Sequence, residues 1–553
     1  MKDLNQKTGN EFLSIAITLL LLSSSGWLYG QTGDYTYFYR IYFIDKGDNV
    51  VFNYTPKDLL STKAILRREK AGIPVPDMRD IPVSAYYLDQ IADLGFTLHC
   101  TSKWMNTALF KTKSPTDIGT LLEMPFVSRV EIVKTPGIKS SFKNKLDFEL
   151  VKADIPAFDR PVSMVNGYAL HNSGFDGKNI LIAVLDGGFT NADQISSLNS
   201  LRNRSGIKLT YDFVNNEEFV YSYSTHGTAV LSVLSGFIPE MIQGTAPGAE
   251  YLLFRTEDVG SEFPCEEDYW AAGAEYADSI GADIISSSLG YTVFDDPSLN
   301  YKISDLDGNT SFVTRAADIA ASKGILVVNS AGNERNKAWK SIICPADGDS
   351  VLAVGAVDGD NKISIFSSAG PSADGRIKPD NTTMGVSVPV QVSTYSVDRS
   401  SGTSFSCPIL SGMAASLMNA VPKATSADII EALHSSADHH NYPDSLYGYG
   451  TPDMTIALST LQDRYTPHPE EETIAGPNPT TGNIEIIFRQ QPEFLIVEII
   501  SMSGNIIFRK DIPDFAGRSL LLTELQNREQ GIYFIRLIKR DGVSVHKIIL
   551  LKN

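Results

Sequence analysis

Between residues 179 and 358 the chain repeats one pattern, an apolar run without polar alternation followed by a helix-length segment. The runs are "NILIAVLDGG", "YLLFRTED", "GILVVNSAGN" and "SVLAVGAVD"; "HGTAVLSVLSG" and "DYWAAGAEYADSIGADIISSSLG" carry the helices between them. A strand with one wet face alternates apolar and polar residues, and these do not. Strands apolar on both faces, each followed by a helix, pair in parallel and are covered by helices on both sides. Residues 149–463 are therefore expected to form an α/β domain on a parallel sheet. In such sheets reactive groups gather at the carboxyl ends of the strands.

The flanks read differently. Lys2 and Lys7 precede the apolar run Phe12 to Leu22, which is too short to span a membrane easily and suits a signal peptide over 1–30. Residues 31–148 mix a β-rich run, "YTYFYRIYFI", with helices "PKDLLSTKAILRREKAG" and "SAYYLDQIADLGF" and strands "TALFKT" and "VSRVEIV", a small α+β domain. A stretch rich in Pro, Glu, Thr and Gly makes 464–476 a linker. Residues 477–553 are short strands broken at Ser503-Gly504 and Asp541-Gly542, as hairpins of a small β-sandwich would be.

Charge and cysteine content exclude two function classes. The chain of 553 residues has a net charge of −18, which argues against binding nucleic acid through a basic field. Four cysteines, at 100, 265, 344 and 407, are too few for a disulfide scaffold. Export would permit one bridge, with Cys265–Cys344 the pairing first in line, though sequence does not assign it. Cys407 reads as a buried packing residue.

Three polar residues in 149–463 stand where chemistry is expected. Asp186 ends the run "ILIAVL", and a carboxylate there is costly unless hydrogen-bonded. His226 and Ser404 each open an apolar helix, where free N–H groups favour developing negative charge. Each signal alone fits a cap or a turn. Their order, Asp, His, Ser, is that of one kind of nucleophilic triad.

The surrounding words extend the match: "AVLDGGF", "HGTAVLSVLSG", "GTAPGA", "SSSLG", "NSAGNE" and "SGTSFSCPILSGMAA". Over residues 170 to 455 the chain resembles the subtilisin-like serine peptidases (subtilases). The resemblance implies Ser404 as nucleophile, His226 as general base and acid, and Asp186 as the group orienting the imidazole. It implies Asn333 as an oxyanion donor beside the Ser404 amide, and Ser288, Leu289 and Gly290 as a strand that pairs with substrate. Ser401 and Ser406 receive no role, and Pro408 is placed in the first turn of the helix. The family pattern is broken at Asn381 and Thr383, beneath the active serine.

Other candidates stay with structural readings. "DLDGNT" and "DGDNK" lack full calcium-loop spacing, so a structural calcium ion is allowed but unsupported, and catalysis needs no cofactor. His434, His439 and His440 lack zinc spacing. Glu266 and Glu267 suit a helix start, with recognition of basic substrates as an alternative.

The flanks also carry resemblances. "LLSTKAILRREKAGIPV" and "SKWMNTALF" resemble a subtilase propeptide, which would act as the enzyme's own inhibitor until cleaved somewhere in "KTPGIKSSFKNKLDFELVKAD". "PNPTTGNIEI", "VEIISMSGNII" and "GIYFIRL" resemble the sorting domain read by the type IX secretion machinery. The implied protein is a secreted or cell-surface endopeptidase acting on proteins or peptides. The alternatives are a catalytically silent surface-binding protein on the same fold and a processing protease for one partner.

Overall fold

A computed structural model describes residues 37–49, 53–114, 117–136, 144–152, 158–465, 473–488, 491–540 and 542–552. The signal segment 1–30 and most of the polar stretch before residue 144 lie outside them. Residues up to Tyr465 form one compact unit and those from Thr473 a second.

The first unit opens with β1 (Tyr37–Phe43), α1 (Thr62–Lys70), α2 (Ala85–Ala92), β2 (Thr97–Ser102), β3 (Thr107–Thr112) and β4 (Val127–Lys134). The strands pair antiparallel in the order β2-β3-β1-β4. Alternation along β1 explains how this domain is used. Tyr39, Ile41 and Phe43 face its own core with Ile91 and Phe96, whereas Phe38 faces away and packs on the next domain.

After the two-residue strand β5 (Val151–Lys152) comes the central sheet. Its strands are β6 (Leu181–Asp186), β7 (Ile207–Asp212), β8 (Glu250–Arg255), β9 (Ile284–Ser287), β10 (Leu326–Ser330), β11 (Val351–Val357) and β12 (Asn381–Met384). All pair in parallel, in the order β12-β11-β10-β9-β6-β8-β7. The lack of polar alternation has the expected cause. On β6, Ile182 and Val184 enter one core with Val230 and Leu410, while Leu181, Ala183 and Leu185 enter the other with Trp270 and Ala316.

The helices α3 (His226–Ser235), α4 (Cys265–Ile280), α5 (Phe312–Ser322), α6 (Thr403–Ala420), α7 (Ser426–Ser436) and α8 (Met454–Tyr465) cover the two faces. Helix α8 runs through Tyr465, so the start of the segment read as linker is helical. The chain turns back at β6, whose neighbours β8 and β9 lead to opposite halves of the sheet. A crevice opens at the carboxyl ends of strands at such a reversal.

Beside that crevice β13 (Val388–Val390) and β14 (Asp398–Ser400) form a small antiparallel sheet that β5 extends. The second unit comprises β15 (Thr473–Gly476), β16 (Ile484–Phe488), β17 (Leu495–Ser501), β18 (Ile506–Ile512), β19 (Ser519–Leu522), β20 (Gly531–Lys539) and β21 (Gly542–Leu550). Two antiparallel sheets, β15-β16-β19 and β18-β17-β20-β21, share one core that includes Ile486, Val497, Ile535 and Leu537. Ser503-Gly504 lies in the tight turn between β17 and β18, with Gly504 at φ 82°. No helix among the described residues is long and apolar enough to cross a membrane.

The bridge that the sequence left open is not formed. Cys265 and Cys344 are not bridged, and all four cysteines are free thiols. Cys265 begins α4, facing Tyr269 and Cys100, whereas Cys344 lies beside Ser311, Thr314 and Asp347. Each is buried in its own packed surroundings, and burial pushes the Cys265 thiol up to about 12.

Candidate active site

Asp186, the last residue of β6, is completely buried. Its carboxylate is compensated by His226 Nδ1, 2.9 Å from both oxygens, and by the Gly187 amide at 2.7 Å. His226 is the first residue of α3, and its amide donates to Ser224 Oγ at 3.1 Å. The next residue has to be small. A Cβ at Gly227 would stand 2.6 Å from the Gly188 carbonyl oxygen, so glycine lets the start of α3 close onto the loop after Asp186.

Ser404 sits at the second position of α6. The ring of the following residue, Phe405, lies 6.1 Å from the His226 ring, so the starts of α6 and α3 lie side by side. Among the described residues neither Ser404 Oγ nor His226 Nε2 makes a hydrogen bond, to the other or to any third protein group. The other serines of the stretch are occupied: Ser401 Oγ accepts from the Ser387 amide, and Ser406 Oγ donates to the Thr403 carbonyl.

Asn333 follows β10 through Gly332, whose φ of 104° turns the chain toward α6. The Asn333 side chain is held by its oxygen, which accepts from Thr403 N (2.9 Å) and Thr403 Oγ1 (3.1 Å). This fixes the amide orientation and leaves Nδ2 free of protein partners among the described residues. The position a Cβ would take on Gly402 lies 3.6 Å from Asn333 Nδ2 and 3.7 Å from the Ser404 amide nitrogen. Two N–H donors thus flank one point at the start of α6. Sequence reasoning missed Thr403, because its role depends on a residue seventy positions away.

Of the three residues after β9, Ser288 donates from Oγ to the Ser404 carbonyl at 2.9 Å. That carbonyl is free because Pro408, four residues on, has no N–H to offer it. Pro408 therefore lies in the second turn of α6, not the first, since the helix starts at Thr403. Leu289 turns its side chain into the core, and its carbonyl accepts from Asn329 Nδ2 at 3.0 Å. At Gly290 a Cβ would collide with Ile343.

Of the departures at 381 and 383, Thr383 is satisfied in place, while the buried Asn381 Oδ1 has no protein partner among the described residues. Asn381 Nδ2 donates to Gly450 O, and Thr383 Oγ1 donates to Ser406 O at 2.8 Å, tying β12 to α6 beneath the serine. Cys407 is buried with its Sγ 3.5 Å from the Ser287 and Val328 carbonyls, and burial raises its thiol to about 11.

Residues 144–152 lie across this site. Leu146 packs on Gly187, and the Phe148 ring stands 5.6 Å from both the His226 and Phe405 rings. Ser400 Oγ donates to the Glu149 carbonyl, and Val151–Lys152 pairs with β14. Lys145 Nζ enters a group of three carboxylates, Glu257, Glu262 and Glu266. Only Glu266 had been singled out from sequence. Glu257 lies two residues past the carboxyl end of β8, beside the end of β6 that carries Asp186, a signal that could have found it.

The remaining candidates are structural. Asp307 and Asp358 spend a carboxylate oxygen each on backbone amides of their own turns. His434 and His439 stack on Tyr449 and Tyr447.

Residues 177–450 match the subtilase family, 38–147 match the Bacteroidota propeptide domain of S8 peptidases, and 476–551 match a secretion-system C-terminal sorting domain. A tail of this kind marks the chain for export, to the medium or the cell surface. Subtilisin E of Bacillus subtilis is 30% identical over 279 residues, covering 50% of this chain and 65% of its own length, just under two thirds. Subtilisin of Bacillus pumilus is 30% identical over 290 residues, covering 52% of this chain and 94% of its own length. A thermostable alkaline protease of Halalkalibacterium halodurans is 29% identical over 293 residues, covering 52% of this chain and 70% of its own length. Matched over the subtilase domain, and over nearly all of the Bacillus pumilus relative, this chain belongs to the subtilase family.

Proposed function

We propose that the chain is an exported serine endopeptidase that hydrolyses peptide bonds through an acyl-enzyme. Ser404 Oγ attacks the scissile carbonyl while His226 Nε2 takes its proton and then delivers it to the leaving amine. Water repeats the sequence on the acyl-enzyme and regenerates the serine. Asp186 keeps the Nδ1 proton in place and stabilises the imidazolium. Asn333 Nδ2 and the Ser404 amide hold the oxyanion of each tetrahedral intermediate. The backbone of Ser288, Leu289 and Gly290 pairs with an extended substrate, which gives affinity with little sequence preference. No step calls for a cofactor.

The observation that carries this reading is the buried Asp186–His226 pair beside a serine whose helix start is flanked by two N–H donors. Residues 38–147 act as the enzyme's own inhibitor, with 144–152 across the site, and the tail is read by a type IX secretion machinery. The test is labelling of the processed protein by a fluorophosphonate probe. Label and peptide hydrolysis are both expected to vanish in Ser404→Ala, and hydrolysis surviving in that variant would refute the assignment.

A further inference from the structure

Three carboxylates of the peptidase domain stand together beside the triad. Glu257 stands just past β8, Glu262 in the loop that follows, and Glu266 in the first turn of α4. One oxygen of each lies within 4.8 Å of the others. Glu257 accepts from the Tyr291 hydroxyl. Glu266 accepts from the amides of Asp258 (2.8 Å) and Phe263 (2.9 Å). Glu257 and Glu266 are thus held by the peptidase domain itself, whereas the Glu262 carboxylate meets Lys145. Three buried carboxylates this close must be neutralised, by protonation or by a cation.

The cation is the Lys145 ammonium, at 2.6, 2.8 and 2.6 Å from Glu257, Glu262 and Glu266, with its side chain 6% exposed. Burial and mutual repulsion push the Glu262 and Glu266 carboxyls up, against the pull of Lys145. Lys145 belongs to the segment lying across the site, not to the domain that built the cluster. Its amide donates to the Val259 carbonyl at 3.0 Å on one wall. Three residues later Phe148 stands against His226, and on the far wall Val151–Lys152 adds a strand to β14. Residues 144–147 make a turn, with the Asp147 amide donating to the Asn144 carbonyl at 3.2 Å. From there the chain crosses the catalytic groups to the far wall, bonded through its backbone at both walls as a bound peptide would be.

We infer that Glu257, Glu262 and Glu266 form a side-chain subsite selecting lysine or arginine on the amino-terminal side of the cleaved bond, with Lys145 as its intramolecular occupant. This rests on the endopeptidase reading above. The selectivity has a direct cause. A neutral side chain leaves the buried carboxylates without a partner, whereas a cationic one restores the pairing Lys145 provides.

The test is cleavage of a mixed peptide library by the processed, exported protein, with cut sites read by mass spectrometry. Lysine or arginine is expected at one fixed position upstream of the cut, enriched at least ten-fold over methionine or glutamine. Glu262→Gln is expected to lower kcat/KM for a lysine peptide at least ten-fold relative to its norleucine counterpart. Glu262→Lys is expected to shift the preference toward neutral or acidic residues, a gain that misfolding would not mimic. A protein that takes the fluorophosphonate label and cuts peptides with no basic enrichment overturns the inference and leaves the peptidase reading intact. Enrichment unmoved by both Glu262 variants also overturns it. A protein that neither labels nor cuts overturns the peptidase reading, and the inference with it.

Discussion

Asn333 illustrates how much of this site is positioning. Its carbonyl is held twice by Thr403, so the direction of Nδ2 is set before any substrate arrives. Asn333→Ala is expected to lower kcat about 10²- to 10³-fold with little change in KM, measured by steady-state hydrolysis; subtilisin's own oxyanion asparagine is the reference case for that magnitude. Thr403→Val keeps the amide donor but loses the hydroxyl. It is expected to lower kcat roughly ten-fold through a misplaced donor, with Thr403→Ser restoring the rate. Asp186→Asn presents the wrong hydrogen-bonding face to His226 Nδ1, and kcat is expected to fall about 10⁴-fold.

At the scale of an element, α6 and α4 each carry a feature with a long-range cause. Pro408 leaves the Ser404 carbonyl unpaired inside α6, and Ser288 Oγ fills the gap from β9. Ser288→Ala is expected to cost about 1–3 kcal/mol in urea denaturation of the Ser404→Ala protein. Adding Pro408→Ala supplies an N–H to the same carbonyl and is expected to recover most of that loss.

Helix α4 is stranger: Glu266, Glu267, Asp268, Glu275 and Asp278 are all buried on it. Their partners come largely from the N-terminal domain. Arg40 pairs with Asp268, Arg67 and Arg68 with Asp278, and Ser102, Lys103 and Trp104 donate to Glu275. A polar helix face buried under a second domain is the surface expected where that domain is removable. Glu275→Ala strands three donors, and the full-length Ser404→Ala protein is expected to lose about 2–4 kcal/mol of stability.

Across the whole molecule, the same junction should be acid-sensitive. Asp80 is fully buried; burial pushes its carboxyl up, but Arg68 and Lys323 hold it down at about 2. A carboxylate held below its free value contributes stability that is complete above about pH 4 and lost as the pH falls through about 2, roughly 2.6 kcal/mol for a shift of this size. Denaturation midpoints of the Ser404→Ala protein should therefore fall over that window, and Asp80→Asn should flatten the dependence.

Much was legible along the chain. Apolar runs alternating with helices point to a parallel sheet covered on both faces, and Asp186, His226 and Ser404 each stand at a strand end or helix start that the local pattern marks. These signals are local because periodicity and turn chemistry act over a few residues. What only the tertiary structure decided are the pairings between distant parts. Sequence allowed a Cys265–Cys344 bridge, but packing gives each thiol its own surroundings. The hydroxyl that completes α6 comes from position 288, and the lysine neutralising Glu257, Glu262 and Glu266 comes from position 145. A buried charge reveals its partner only when docking brings the two within a few ångströms, and no pattern along the chain encodes that distance.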